Sequence, residues 1–139
     1  MKLLLDINVV LDVPLRRAPW VGEAAAMLSA IEQRRASGYV AAHTVTTYHY
    51  VIAKQAGRDE AVRATADLLR LLRVVPTGRE DFRDALALSL RDFEDAVQAV
   101  AALKAGADYL VTRNAPDFRG TTVPVRTPGE ILALLQPRS

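Results

Sequence analysis

Short apolar runs alternate along the chain with longer stretches in which apolar residues return every three or four positions. The runs suit strands and the longer stretches suit amphipathic helices. Leu3-Leu4-Leu5 predicts a strand over residues 2–6, and a loop follows through Pro14, Arg16, Arg17 and Pro19. Val21, Ala24, Ala25, Leu28 and Ile31 give an apolar face to a helix over 20–37, stopped by Gly38. A short strand over 39–42 leads to a helix over 44–55, with Thr44 as N-cap and Gly57 as terminator. Residues 59–72 predict another helix, and Val74-Val75 a strand that Pro76 stops.

The alternation continues in the second half. Thr77-Gly78-Arg79-Glu80 has the form of a capping box and opens a helix to about residue 90. Asp92 caps a helix over 93–105, ended by Gly106. Residues 109–112 read as a strand, 114–120 as a loop and 123–125 as a last short strand. Thr127-Pro128 opens a C-terminal helix to residue 135, with proline in its favoured first turn. No repeat, linker or low-complexity stretch interrupts this order, so one domain over residues 1–139 is expected. Strands alternating with helices define an α/β class with a mainly parallel sheet.

Composition narrows the functions. Half of the 139 residues are apolar and 24% are charged, which fits a globular chain rather than a disordered one. No apolar run approaches the about 18–20 residues of a membrane span, so no membrane role is expected. The N-terminal apolar run is too short for a signal peptide. Cysteine is absent, which excludes a disulfide framework, a zinc–thiolate site and a cysteine nucleophile. A cytoplasmic location is the expectation. Net charge is only +2, and the basic residues are nearly all arginine. The guanidinium fork suits phosphate, but codon bias is the favoured account of the arginine excess, so charge alone does not imply nucleic acid.

Three clusters carry candidate chemistry. Asp6 ends a buried apolar strand, at the sheet edge where open α/β proteins bind ligands. A carboxylate there is costly unless water, a hydrogen bond or a cation accompanies it; a turn or helix cap is the less favoured reading. Asn8 is placed to orient Asp6 or the turn, and Asp12 reads as a surface residue. Asp92 and Asp95 share one side of a helix start, where the helix dipole favours acids, so capping and chemistry both remain open for Asp92. Asp95 enters a stretch almost without charge, which favours chemistry. Thr112, Asn114 and Asp117 follow a late strand with two neutral oxygens and one charged. Together the clusters offer an oxygen-only ligand set suited to Mg²⁺ or Mn²⁺, able to bind phosphate oxygens and activate water.

Leu3-Leu4-Leu5-Asp6-Ile7-Asn8-Val9-Val10-Leu11-Asp12, Asp92-Phe93-Glu94-Asp95-Ala96, and the segment from Ala107 through Thr112, Asn114 and Asp117 to Phe118 resemble the PIN-domain family in order and spacing. The resemblance runs over essentially the whole chain, including Pro124 to Pro128. It implies a three-layer α/β/α sandwich with a central, mainly parallel sheet. It also implies a Mg²⁺- or Mn²⁺-dependent ribonuclease, often the toxin of a bacterial toxin–antitoxin pair (VapC type) and often a homodimer. By motif match Asp6, Asp95 and Asp117 take the acidic positions, and Asn8, Asp92, Thr112 and Asn114 support them. RNA, an antitoxin protein and a second copy are the implied partners.

One departure stands out. The family usually carries a glutamate on its second helix, whereas residues 44–53 hold no acid, as in a branch of the family that lacks it, and the expected position falls near Thr47. His49 is a possible substitute, although a histidine in an aromatic stretch is more often a packing residue. His43 reads as a strand-to-helix linker, and Tyr48 and Tyr50 as core or dimer contacts. The missing acid favours a competing reading, a PIN-like module that holds RNA or an antitoxin without cleaving. A haloacid-dehalogenase-type phosphatase fits less well, since Asn8 stands where its second aspartate belongs. A receiver domain fails because Val74-Val75-Pro76 carries no phosphorylatable aspartate.

Overall fold

A computed structural model describes residues 1–136. Five strands, β1 (Lys2–Leu5), β2 (Ser37–Ala41), β3 (Arg73–Val75), β4 (Tyr109–Val111) and β5 (Val125–Arg126), form one sheet in the order β3-β2-β1-β4-β5. Every pairing is parallel. The helices are α1 (Ile7–Asp12), α2 (Val21–Glu32), α3 (Ala42–Ala56), α4 (Arg58–Leu71), α5 (Arg79–Ala87), α6 (Phe93–Lys104) and α7 (Pro128–Leu135). A short 3-10 turn spans Ala115–Phe118.

The central strand is buried on both faces, as parallel sheets require. Its side chains alternate between two cores. Leu3 and Leu5 pack with α1, α2, α3, α4 and α7 on one face. Leu4 packs with Ala99, Ala101 and Ala102 of α6 and with Phe118 on the other. The result is the expected three-layer α/β/α sandwich. No helix among the described residues is long and apolar enough to cross a membrane.

Several local expectations need correction. Residues 7–12 are helix α1, not loop. Three β-branched residues in six give that segment weak helix propensity, but burial of Val9, Val10 and Leu11 overrides it. Helix α2 ends at Glu32, where Arg34 turns left-handed at φ 61°. Gly38 therefore stops no helix; it lies in β2, where a Cβ would run into Leu72 and Ile31. Helix α3 starts at Ala42 with Ala41 at the N-cap position, so Thr44 is an interior, fully buried residue. The box opening α5 sits one residue later than expected: Asp81, not Glu80, reaches back, accepting from the Gly78 N–H at 2.8 Å. The caps at Asp92 and Thr127 form where the sequence places them.

Candidate active site

Asp6 follows β1 directly and occupies the N-cap position of α1, yet its carboxylate caps nothing. It turns inward instead and is only 2% exposed. Oδ1 accepts from Gln98 Nε2 at 3.0 Å and Oδ2 from the Thr112 hydroxyl at 2.9 Å. Burial pushes this carboxyl up from the ordinary value, and the bonds from Gln98 and Thr112 pull it part of the way back. The Thr112 hydroxyl in turn accepts from the Asn114 N–H at 3.0 Å, so its proton is committed to Asp6.

Helix α6 brings the second acid. Asp92 caps it, accepting from the Asp95 N–H at 3.0 Å. That bond fixes the first turn, and Asp95 then lies half-buried beside Gln98, whose Nε2 also donates to Asp95 Oδ1 at 3.3 Å. One nitrogen thus bonds both carboxylates. The apolar face of α6 forces this contact: Ala99, Ala101 and Ala102 seat the helix against the sheet beneath β1 and β4.

Asp95 also lines an open cleft of about 450 Å³ with Arg91, Asp92, Asp117 and Arg119. Asp117 sits exposed on the 3-10 turn after β4. The Asp95 carboxyl is pushed up to about 7, first by burial and then by the charges of Asp92, Asp6, Asp117 and Glu94. Gln98 therefore links Asp6 to Asp95, and the cleft links Asp95 to Asp117. Asp6 is the deepest of the three and Asp117 the most exposed.

The other candidates divide. Asn8 accepts from Arg17 Nη1 at 3.2 Å, so its bond goes to the loop rather than to Asp6. Asp12 is not a surface residue: it is 1% exposed and paired with Arg113. Tyr48 is a core residue, its hydroxyl pushed up to about 12 by burial and by Asp67 and Glu60, while Tyr50 is exposed. Thr47 and His49 are half-buried. His43 is no mere linker, for it lies in the first turn of α3 with both ring nitrogens buried and unpartnered. Burial lowers its pKa, partly offset by Glu94 and Asp92. Gln98 escapes a reading of the sequence, since a single amide in an apolar helix carries no signal until its partner, 92 positions away, is known.

The donor chemistry fits a hard divalent ion. Asp92, Asp6, Asp117 and Glu94 surround Asp95 with oxygen donors, and the groups bonded to Asp6 are neutral. Among the described residues no three His, Cys, Asp or Glu side chains are arranged as a ready ligand set. Mg²⁺ characteristically takes one or two carboxylates and completes its shell with water and substrate phosphate. Asp6 and Asp95 offer that pair.

A parallel α/β sandwich with acids gathered at the carboxyl edge of its central strands defines the class, and the sequence profile of the PIN domain matches residues 2–115. The chain belongs to the PIN-domain family. Its fold is similar to VapBC2 from Rickettsia felis, solved bound to a DNA fragment from its promoter (TM-score 0.67, 12% identity, 91% of this chain and 98% of that one). It is similar to VapBC-1 from nontypeable Haemophilus influenzae (TM-score 0.68, 15% identity, 93% and 99%). It is also similar to VapC20 from Mycobacterium tuberculosis, a toxin that cleaves the sarcin–ricin loop (TM-score 0.63, 15% identity, 78% and 86%). A comparison with curated proteins gives no match.

Proposed function

We propose that this chain is a metal-dependent endoribonuclease and the toxin of a toxin–antitoxin pair, acting in the cytoplasm. The observation that carries the reading is geometric: one Gln98 nitrogen bonds both Asp6 and Asp95, and Asp95 opens onto a cleft that Asp117 also lines, where burial and four neighbouring acids push its carboxyl up to about 7. A cation among these acids would favour the charged form of each, so the cluster suits one. Asp6 and Asp95 are the proposed ligands, and Asp117 the acid that meets them once substrate enters. The chemistry such an ion supplies is Lewis-acid charge on the scissile phosphate and activation of water for in-line attack. Mg²⁺ and Mn²⁺ suit the oxygen donors equally.

The chain's own residues do the rest. The Thr112 hydroxyl holds Asp6 in place and favours its charged form against the cost of burial, and Asn114 fixes Thr112. Asp92 holds the first turn of α6. Arg91 and Arg119 line the same cleft as Asp95 and Asp117 and suit the phosphates either side of the scissile one. Membership of the PIN family and the likeness in fold to toxins solved in VapBC complexes support the toxin role. An antitoxin partner and a homodimer belong to the same proposal.

The alternative is a catalytically weak module that binds RNA or an antitoxin, favoured by the absence of any Asp or Glu in α3. Cleavage of RNA with Mg²⁺ or Mn²⁺, compared between the wild type and Asp6→Asn, separates the two. Activity that disappears in chelator and in the variant supports the nuclease. Equal cleavage by both proteins overturns the Asp6-based mechanism, and no cleavage by either beside tight RNA binding supports the alternative.

A further inference from the structure

Gln98 is fully buried in a helix segment whose other buried residues are all apolar. Its amide has one possible orientation. The Ile7 N–H only donates, so it meets Oε1, at 3.0 Å. Carboxylates accept, so Asp6 Oδ1 at 3.0 Å and Asp95 Oδ1 at 3.3 Å meet Nε2. Each amide hydrogen then serves one carboxylate, and the acceptor is anchored on the backbone at the start of α1.

We propose that Gln98 is a positioning residue: it holds Asp6 and Asp95 as one pair across a single nitrogen and fixes the spacing at which they receive a divalent ion. The pairing rests on geometry alone, and the ion rests on the function proposed above. Asp6 has a second anchor in Thr112. Asp95 is half-buried, and among the described residues its carboxylate accepts only from Gln98, so without that bond the side chain is free to swing out into the cleft. The bond from Gln98 opposes that swing. The choice of a neutral amide has a reason. A lysine or arginine here would cancel the pair's charge and compete with the ion; glutamine joins the two acids and leaves their charge intact. Gln98 lies three residues beyond Asp95 on the same helix face, which lets one side chain reach both that acid and the end of β1.

Two measurements test this on the full chain. Calorimetry with Mn²⁺ alone compares wild type with Gln98→Leu, which keeps bulk and removes both donors. At least a ten-fold loss of affinity is expected in a variant that still unfolds cooperatively; unchanged affinity overturns the proposal while leaving the metal reading intact. NMR of the Gln98 side-chain amide then follows Asp6→Asn and Asp95→Asn. Each substitution should shift those resonances. Resonances indifferent to Asp95→Asn overturn the pairing, even if Gln98→Leu fails to fold or the wild type binds no Mn²⁺. In that last case a shift in both variants supports the pairing, while the ion reading fails separately.

Discussion

Arg113 grips Asp12 through two parallel bonds, Nε to Oδ2 at 2.9 Å and Nη2 to Oδ1 at 3.2 Å. Asp12 ends α1, and Arg113 follows Thr112 at the end of β4, so the pair staples together the two segments that carry Asp6 and its hydroxyl partner. The guanidinium also stacks on the Trp20 ring, 3.7 Å from its centroid. Arg17 adds a longer contact to Asp12 at 3.5 Å.

Removing one partner of a buried pair strands the other's charge, which costs about 3–5 kcal/mol. Asp12→Ala is expected to destabilise by that order, read from urea unfolding. Arg113→Met in the same background should recover part of the loss, because the unpaired guanidinium is gone. A single variant as stable as the wild type would contradict the stapling role.

The sandwich is legible in the sequence because apolar periodicity is local: Leu3-Leu4-Leu5 and the alanine face of α6 announce their elements without help. Asp6 and Asp95 stand out for the same reason, as acids at the ends of apolar elements, whereas Asp117, on a turn, is singled out only by its match to the family's motif. Helix α1 is hidden because its β-branched residues favour extended chain and only packing overrules them. Asp12 looks like a surface acid because its partner lies 101 positions away. Gly38 follows a helical stretch and so resembles a terminator; its actual constraint, the approach of Leu72 and Ile31, exists only in the folded packing.

Asp95 gives a pH prediction. Its carboxyl is raised from 3.8 to about 7 in the folded chain. A raised folded value means that the folded state holds the proton more tightly than the unfolded one. The stabilisation it contributes is complete below about pH 4 and is lost as pH rises through 7. Asp95→Asn removes the titration, so its thermal midpoint should exceed that of the wild type more at pH 8 than at pH 4. Mn²⁺ at pH 8 should raise the wild-type midpoint and leave the variant's nearly unchanged. Parallel pH profiles for the two proteins would refute the assignment.

Arg91 and Arg119 give a prediction about binding. If each holds one phosphate, Arg119→Ala should raise KM for RNA several-fold while kcat changes little. The slope of log affinity against log salt should shrink by about 0.7–0.9 for each phosphate no longer neutralised. Arg91→Ala should behave alike. A fall in kcat at constant KM would instead place these arginines at the reacting phosphate.

The last prediction concerns the acid that α3 lacks. Affinity for Mg²⁺ or Mn²⁺ depends on the number of anionic ligands, because the ion gives up water reluctantly. Asp6 and Asp95 already offer one pair, with their charge preserved by the neutral Gln98 between them. Thr47 is half-buried and one turn along α3 from His43, which feels the charge of Glu94 and Asp92, so the two side chains share a face. A carboxylate at that position adds a third anion on the side of α6's first turn. Thr47→Glu is therefore expected to tighten Mn²⁺ binding by a few-fold to ten-fold in calorimetry, about 1.4 kcal/mol at the upper end. The gain should be smaller in an Asp6→Asn background, where one member of the pair has lost its charge. A second account puts His43, which feels the charge of Glu94 and Asp92, in the substitute role that the sequence suggests for His49, and His43→Ala tests it. If the imidazole already supplies the missing ligand, that variant weakens Mn²⁺ binding and Thr47→Glu adds little to the wild type. If Thr47→Glu leaves affinity unchanged and His43→Ala does too, the face of α3 does not reach the ion, and Asp6 and Asp95 bind it without help from that helix.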